Sequence, residues 1–438
     1  MLDNGLPQQS RRSFLKTAGI TTTGVALSGC TGLMGGSSSG GGGVTIKTRH
    51  YPTGQIGSFL EKHTKRFEKE TGITVEYETM EWSTGKRKQV SSMTSRTGPD
   101  VGEIPSTYIP QFAQLDGFMD IQDIDIDINP DNFYKDPVEI GRYNGEFVGI
   151  PWFWGPRGHL SYTPLLRKAG IDGAPKTWDD MVRQGKKFHK KFPKKYLFGI
   201  PAQENVSHFF ADFLWQNGGE LLTDDKSKVA FDSKQGVKAM NFYKNLQSKF
   251  DVMPRSTAEW KGTNRDTAFI NHKIQSTWAS LATVDAMVEK EGISKDEISI
   301  AKLPAGPGPK GQSASFYGLE LVGIHPWTDY PEESAKWLAY LARPEVNADI
   351  AKRTGFLPTV KKSFEQEYFQ TEVWQSFREL TSSGKTFPQV KGWTTVENAI
   401  NSAVSSILVD AATGKWSKGD TKAALKEAAQ KGNQALSE

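Results

Sequence analysis

Residues 44–104 contain the stretch that decides the fold. Val44-Thr45-Ile46-Lys47-Thr48 alternates like a β-strand, and Phe59, Leu60, His63 and Phe67 then recur at helical spacing before Gly72. A second strand is expected over residues 73–77, a second helix through residues 90–93, and a third strand over residues 101–104. Strands and helices that alternate at this spacing are typical of a parallel α/β sheet.

The same alternation returns later in the chain. Thr177-Trp178-Asp179-Asp180 is a pattern that begins helices. Further strands are expected over residues 196–200, 274–278, 298–303 and 319–324, and the chain from residue 332 onward is expected to be mainly helical. These strands and helices are too many for one sheet and its core, so we predict two α/β lobes between which the chain crosses more than once.

Composition limits the classes of function. The chain has 438 residues, of which 37% are hydrophobic and 24% charged, which suits a soluble globular protein of two domains. Its formal net charge is +4, too small an excess to indicate a nucleic-acid partner. The seven histidines show no metal-ligand spacing and the body contains no cysteine, so we expect neither a transition-metal site nor a cofactor.

The first 43 residues indicate export. Ser10-Arg11-Arg12-Ser13-Phe14-Leu15-Lys16 resembles the twin-arginine export signal, with Arg11 and Arg12 as the pair, and the mildly apolar run behind it is too short to span a bilayer. Leu27-Ser28-Gly29-Cys30 resembles the lipobox of prokaryotic lipoproteins, which implies lipidation of Cys30, the only cysteine. Residues 35–43 are almost all Gly and Ser and are expected to form a tether. We therefore predict a protein anchored by lipid to the outer face of the cytoplasmic membrane.

Three short motifs carry little weight. Residues 306–311 match the glycine pattern of dinucleotide sites, but the two prolines remove backbone donors, which favours a surface turn. A segment with the spacing of a calcium loop, but without the turn glycine of such a loop, contains Asp123, Asp125, Asp127 and Asn129. The alternatives for this segment are a calcium site, an edge strand or a helix-capping loop. Asn205 begins a glycosylation sequon, and the sequence leaves open whether Asn205 is glycosylated.

Tryptophan is the strongest chemical signal. The chain has twelve, and several lie beside Gly, Pro or polar residues instead of in apolar stripes: Trp82, Trp152, Trp154, Trp260, Trp278 and Trp393. A sugar ring has an apolar face that flat aromatic rings cover and a hydroxyl rim that carboxylate, amide or Arg groups bind. Trp178 and Trp337 lie within helical patterns and are expected in cores.

The chain resembles the extracellular solute-binding proteins of ABC importers, in particular the sugar-binding family that includes maltose-binding protein. The resemblance covers residues 44–438. It rests on the order and spacing of eight stretches: residues 67–75, 98–101, 143–151, 165–171, 175–181, 215–222, 303–307 and 354–359.

The resemblance implies a type II periplasmic-binding-protein fold, with a hinge and a central cleft between two lobes. It implies an N-terminal lobe of residues 44–156 and 276–326, and a C-terminal lobe of residues 157–275 and 327–438. The ligand-binding residues it implies, together with Trp82 and Arg157, are Asp100, Glu103, Trp152, Trp154, Trp278, Phe316, Tyr317 and Trp393. Trp278 is the residue most expected to stack on a sugar.

The predicted function is capture of a sugar or oligosaccharide and its delivery to an ABC permease. The resemblance implies a monomeric binding protein without catalytic residues, cofactor or metal. Two alternatives stay open on the residues alone. A secreted glycoside hydrolase would need a pair of carboxylates, and a receptor for glycerol phosphate or a polyamine would keep the fold and change the cleft.

Overall fold

Thirteen strands and sixteen α-helices make up the described part of the chain, residues 43–417 and 420–437 of a computed structural model. The strands are β1 (Thr45–His50), β2 (Thr74–Thr79), β3 (Val101–Pro105), β4 (Arg142–Tyr143), β5 (Glu146–Phe147), β6 (Ile150–Pro156), β7 (Gly158–Tyr162), β8 (Tyr196–Phe198), β9 (Ile274–Ala279), β10 (Ile298–Ala301), β11 (Ser315–Ile324), β12 (Leu357–Pro358) and β13 (Gly384–Lys385). The helices are α1 (Ile56–Thr71), α2 (Trp82–Ser95), α3 (Ile109–Gln114), α4 (Lys135–Ile140), α5 (Thr163–Lys168), α6 (Trp178–Lys191), α7 (Val206–Gln216), α8 (Lys234–Ser248), α9 (Gly262–Ile270), α10 (Leu281–Glu291), α11 (Pro331–Leu341), α12 (Pro344–Thr354), α13 (Lys361–Phe364), α14 (Glu372–Glu379), α15 (Trp393–Thr413) and α16 (Asp420–Ser437).

Two sheets organise the protein. The larger has the strand order β12-β6-β11-β3-β1-β2, with β13 paired to the start of β11. In it β1 is parallel to β2 and β3, whereas β11 is antiparallel to both β3 and β6. The smaller sheet has the order β10-β7-β9-β8. The chain passes from one sheet to the other directly between β6 and β7, which end at Pro156 and begin at Gly158.

Local sequence explains the first helices. In α1 the residues Phe59, Leu60, His63 and Phe67 are buried on one face, and Gly72 ends the helix in the left-handed conformation at φ 75°. Burial of each large apolar side chain contributes about 1.5–3 kcal/mol. The helix start expected at Thr177 is confirmed, because Thr177 and Asp180 form a reciprocal capping box.

Each sheet has its own hydrophobic core. Beside the larger sheet, α1, α11 and α12 cover Phe59, Trp152 and Trp337. Beside the smaller sheet, α6, α7, α8, α15 and α16 enclose a second core that includes Trp178 and Trp278. The expectation that Trp178 and Trp337 are core residues is confirmed. A third core cluster, which includes Ile104, Leu160 and Ile274, joins strands of both sheets.

The lobe boundaries differ from the expected ones. The prediction put residues 276–326 in the N-terminal lobe, but β9 and β10 pair with β7 in the smaller sheet, and only β11 returns to the larger one. Helices α11 and α12, expected in the C-terminal lobe, pack in the core of the larger sheet. The chain returns to the larger sheet after β10 instead of before β9, and it is still paired there at β12, which lies next to β6. Hydrophobic periodicity does not reveal these crossings.

Three further expectations concern features away from the sheets. Arg11, Arg12 and Cys30 lie outside the described residues. In the run that resembled a calcium loop, Asn129 Oδ1 caps a short 3₁₀ turn by accepting from the Asp131 backbone N–H at 2.9 Å. Within the described residues, no group of three or more His, Cys, Asp or Glu is placed to hold a metal ion. Over the same residues, no helix has the length and apolar character that crossing a bilayer requires.

Candidate functional site

A cavity of about 1090 Å³ lies where the two sheets meet. Its floor is formed by the ends of β6 and β11, from Trp154 to Arg157 and from Phe316 to Glu320. Its walls are formed by the starts of α2, α7, α9 and α10, by the end of α12, and by Tyr108 and Glu397. This volume is at the upper end of the range for small-molecule sites.

Aromatic rings line one wall. Trp82, at the first turn of α2, is half-buried, and its ring stacks on Tyr51 with centroids 4.2 Å apart and planes 19° apart. Tyr108 follows the carboxyl end of β3 and is also half-buried. Trp154 borders the cavity from the floor, where its Nε1–H donates to the Pro358 carbonyl at 3.1 Å. These rings give the cavity flat apolar surface.

A hydrogen-bonded chain of three side chains lies on the opposite wall. Burial lowers the pKa of His208 to about 4, so its imidazole is neutral at physiological pH. Its Nδ1 therefore accepts from Arg157 Nη2 at 3.1 Å, and its Nε2–H faces Glu397 Oε1 at 3.4 Å. The Ser207 hydroxyl donates to the same Glu397 oxygen at 3.2 Å. The chain fixes the tautomer of His208 and holds Arg157 and Glu397 toward the cavity.

Arg157 is the most constrained of these groups. Its guanidinium lies 4.9 Å from the centroid of Phe209 and 5.4 Å from that of Phe316, a cation–π geometry. Burial lowers its pKa to about 10, which leaves it charged at neutral pH. Its Nη1 is buried and has no hydrogen-bond partner among the described residues. Arg157 therefore has one donor group free for a ligand.

Asp212 ties the start of β11 to α7. Its Oδ1 accepts from the Phe316 backbone N–H at 2.5 Å, and its side chain is fully buried. Burial raises the pKa of Asp212 to about 7, an effect that the charge of Arg157 opposes. The carboxyl group thus titrates near physiological pH beside the cavity.

Glu320 brings a carboxyl group to the other end of the floor. It lies on β11, lines the cavity and is the diagonal neighbour of the fully buried Glu103 on β3. Burial raises the pKa of both groups, and the charge of Glu103 raises that of Glu320 further.

The wall formed by α7, α9 and α10 is polar. Glu204 Oε2 accepts from the Gly262 backbone N–H at 2.8 Å. Arg265 donates to Asp266 Oδ1 from both Nε and Nη2, at 3.0 and 2.9 Å, and Thr283 donates to the same oxygen at 3.0 Å. Such fixed donors and acceptors suit directional recognition of hydroxyl groups.

Four of the expected ligand-binding residues lie together in this lining: Trp82, Trp154, Arg157 and Phe316. All four come from stretches next to Gly, Pro or a strand end. Their place in the lining is consistent with the expectation, and ligand contact stays a prediction.

Three of the expected stacking tryptophans are instead core residues. Trp278 is 1% exposed, packs 4.8 Å from Phe213, and donates from Nε1 to His159 Nδ1 at 3.1 Å. Trp393 is fully buried against Phe387. Trp152 is fully buried because the register between β6 and β11 shifts there, leaving it without a partner opposite. This bulge directs Trp152 into the core of the larger sheet, away from the cavity side of Trp154.

The remaining expected residues also lie outside the lining. Asp100 precedes β3, at the far end of the strand, where it accepts from the Lys47 backbone N–H at 2.7 Å and from Thr328 at 2.6 Å. Glu103 lies behind Glu320 and is fully buried. Tyr317 is 8% exposed and packs edge-on against Trp154.

The sequence analysis missed most of the polar lining, including Tyr108, Glu204, His208, Arg265, Glu320 and Glu397. Tyr108 alone had a usable signal, since it follows the carboxyl end of a parallel strand, where α/β proteins place ligands. The others lie on separate helices and strands, and only the tertiary fold brings them together.

Two lobes around one large cavity with aromatic and polar walls define a protein that binds a solute between its lobes. The chain belongs to the family of bacterial extracellular solute-binding proteins, which matches residues 51–348. A protein of Brucella abortus named as a binding protein is 24% identical over 421 residues, which cover 94% of this chain and 97% of the relative.

Solved structures give the same fold. A solute-binding protein of an ABC transporter from Thermotoga lettingae, bound with α-D-tagatose, superposes with a TM-score of 0.79 and 22% identity, covering 90% of this chain and all of that one. Maltose-bound MalE3 of T. maritima superposes with a TM-score of 0.79 and 24% identity, covering 89% and 99%. These likenesses show the fold, which is the predicted type II periplasmic-binding-protein fold.

The protein is therefore an extracellular solute-binding protein, a class that binds its solute without catalysing a reaction. The alternative of a secreted glycoside hydrolase is wrong, since this family binds its solute without chemistry.

Proposed function

We propose that this protein captures a sugar or oligosaccharide in the cavity and delivers it unchanged to an ABC permease in the membrane. The observation that carries the proposal is the combination of a half-buried Trp82, stacked on Tyr51, with the polar Arg157–His208–Glu397 chain across the same cavity. An aromatic ring covers the apolar face of a sugar, while charged and amide groups bind its hydroxyls.

Contacts between elements on the two sides of the cavity support a closing motion. Lys86 of α2 donates to Thr394 of α15 at 3.3 Å and lies 4.2 Å from the centroid of Tyr108. Gln389 donates to the Ser106 carbonyl at 3.0 Å. A solute that touches both sides adds further contacts to the closed arrangement alone and shifts the population toward it.

The cellular setting of the proposal comes from the first 43 residues. Export through Arg11 and Arg12 and lipidation at Cys30 would hold the protein at the outer face of the cytoplasmic membrane, close to its permease. We propose that it acts there as a monomer. We also propose that each lobe consists of one of the two sheets and the helices that pack on it.

A thermal-shift screen against a panel of mono- and oligosaccharides tests the function. A solute that binds only the folded protein stabilises it by about 2.7 kcal/mol at a concentration one hundred times its Kd. We expect at least one sugar to raise the Tm of the wild type. Repeating the positive conditions with Trp82→Ala separates binding in this cavity from binding elsewhere. A panel of sugars that leaves the Tm unchanged would contradict the proposal.

A second candidate class is a cationic solute such as a polyamine. Glu81, Glu204 and Glu289 line the cavity, and none of them has a Lys or Arg within salt-bridge distance among the described residues. Polyamines therefore belong in the same screen, together with glycerol phosphate, for which Arg157 is the matching group. A larger shift with a polyamine than with any sugar would favour the cationic class.

A further inference from the structure

Two carboxyl groups meet at the floor of the cavity. Glu103 lies on β3 and Glu320 on the neighbouring antiparallel strand β11, where Val322 is opposite Glu103 and Pro105 is opposite Glu320. The two side chains are therefore diagonal neighbours on the same face of the sheet. Glu320 lines the cavity and is partly exposed, whereas Glu103 is fully buried behind it.

The hydrogen bonds of this pair require a proton. Glu103 Oε2 accepts from the Tyr51 backbone N–H at 3.0 Å and contacts His50 Nδ1 at 3.2 Å. Glu103 Oε1 and Glu320 Oε2 are both buried, and neither meets an N–H or O–H donor of the described residues. The strand register makes each carboxyl group a diagonal neighbour within reach of the other. Two carboxyl groups can share a hydrogen bond only if one of them is protonated.

His50 Nδ1 lies 3.2 Å from Glu103 Oε2 and lowers the pKa of Glu103 when its ring is charged, but a histidine is not a permanent cation. From β1, Arg49 pairs with Glu78, and His50 contacts Thr48 with its second nitrogen at 2.7 Å. From α2, Gln89 donates to the Glu103 backbone carbonyl and accepts from the Tyr51 hydroxyl. The titratable groups that interact electrostatically with one or both carboxyl groups are His50, Tyr51 and Tyr108. None of these is a fixed positive charge, so ionisation of both carboxyl groups would leave two negative charges in contact in a buried site.

We propose that the Glu103–Glu320 pair is a proton-sensitive element of the cavity floor, which holds one proton and loosens the floor when it is lost. With the proton in place, the pair carries one negative charge and joins β3 to β11. Without it, the two charges repel each other across that strand junction, and a second negative charge faces the cavity. Capture of an uncharged solute would then weaken as the pH rises, a consequence that rests on the function proposed above.

The sign follows from linkage. A carboxyl group that takes up its proton more readily in the folded protein stabilises the fold fully below its unfolded pKa, about 4.3 for Glu. That stabilisation is lost as the pH rises through the folded pKa, which is raised for Glu320. Alkaline conditions therefore release the proton and destabilise the floor, whereas acid conditions keep the pair intact.

Urea denaturation of the solute-free protein across a pH series tests the proton. Glu320→Gln keeps a donor for Glu103 in its amide but has no proton to lose. We expect the wild type to lose stability as the pH rises through the titration of the pair, and Glu320→Gln to lack that part of the slope. Glu76→Gln is the matched control, because Glu76 lies exposed on β2, and it should follow the wild type. Equal slopes in all three proteins would overturn the proposal.

Infrared difference spectroscopy of the wild type provides a measurement that does not depend on a variant that folds. The pair predicts a second protonated carboxyl band beside that of Asp212, whose pKa is raised to about 7, at pH values where an ordinary glutamate, with a pKa of about 4.3, is ionised. A carboxyl signal that titrates as a single group would refute the shared proton.

Solute binding distinguishes this inference from the proposed function. For a sugar that binds, the Kd of the wild type should rise up to about tenfold per pH unit above the titration, while the Kd of Glu320→Gln stays level. A sugar that binds both proteins with the same pH dependence would refute the role of the pair and leave the function standing. If no sugar binds, the function fails, and the urea and infrared results still decide whether the pair holds a proton.

Discussion

Alanine replacements of Trp82 and Trp278 should have opposite effects, because the structure puts one tryptophan in the cavity and the other in a core. Trp82 is half-buried and lines the cavity, with one face against Tyr51. Trp278 is 1% exposed, packs against Phe213 and donates a hydrogen bond to His159. The sequence alone favoured Trp278 as the residue that stacks on a sugar.

The magnitudes separate the two variants. Trp82→Ala removes a stacked pair worth about 0.5–1.5 kcal/mol and part of the apolar surface that a sugar would cover. We expect a loss of about 1–2 kcal/mol in solute binding, roughly 5- to 30-fold in Kd, with at most about 1 kcal/mol lost in stability. Trp278→Ala leaves a large core cavity, which costs about 3–5 kcal/mol. It also leaves the buried His159 Nδ1 without its donor, which adds about 1–3 kcal/mol.

Isothermal titration calorimetry with a sugar from the panel measures the first effect, and urea denaturation measures the second. Trp278→Phe is the control for Trp278, since it keeps most of the ring volume and should lose less stability than the alanine variant. A Trp278→Ala protein that is as stable as the wild type but binds sugar weakly would refute the placement of both residues. So would a Trp82→Ala protein with unchanged affinity and several kcal/mol less stability.

Three further replacements test the fold and its titrating groups. Asn347→Ala should lower the free energy of unfolding by roughly 2–3 kcal/mol. The reason is that the buried amide of Asn347 donates to the Trp152 carbonyl at 2.7 Å and accepts from the backbone N–H groups of Thr359 and Val360. Urea denaturation measures the loss, and an unchanged free energy of unfolding would contradict the prediction. Burial alone would raise the pKa of Asp349, but hydrogen bonds from His63 and Lys62 outweigh it and hold the pKa below its usual range. Asp349→Asn should therefore cost about 1–2 kcal/mol at pH 7, a difference that shrinks as the pH falls through the acid range in thermal melts; a constant difference would exclude the ion pair as its source. Asp212, with its pKa raised to about 7, stabilises the fold below about pH 4 and loses that effect as the pH rises through 7. In urea titrations, the free energy of unfolding of Asp212→Asn should therefore vary less with pH over this window than that of the wild type. The same pH dependence in both proteins would contradict the raised pKa.

The alternating strands of the fold were predictable, and the strand that builds the cavity floor was not. Strands β1 and β2 begin with alternating apolar and polar residues, and they were found, like the short buried strand β3, within two residues of their ends. Strand β6 reads Ile-Pro-Trp-Phe-Trp-Gly-Pro and is buried over its whole length. A strand buried on both faces has no alternation, and Pro151, Gly155 and Pro156 are residues that usually end strands.

The candidate site was predictable only where a residue's neighbours in sequence also determine its exposure. Trp82 has polar neighbours, and Arg157 ends a cluster of Trp, Gly and Pro; both were expected near a cleft, and both line the cavity. Trp393 also follows a glycine and a lysine, yet it is buried because Phe387 and the following helices cover it. The sequence around a tryptophan indicates its backbone conformation, whereas tertiary contacts decide which of its faces is covered.

The two ends of the cavity floor differ in charge, and this follows from how β6 and β11 are paired. Pro156 is opposite Tyr317, so Arg157 lies at the level of Phe316, four residues before Glu320 along β11. At a strand rise of about 3.3 Å per residue, the two charged side chains begin roughly 13 Å apart. Gly155 and Gly318 are opposite each other between them and leave bare backbone there. Under the proposed function, we expect a solute that contacts both Arg157 and Glu320 to extend along both ends of this floor, so oligosaccharides belong in the sugar panel beside monosaccharides.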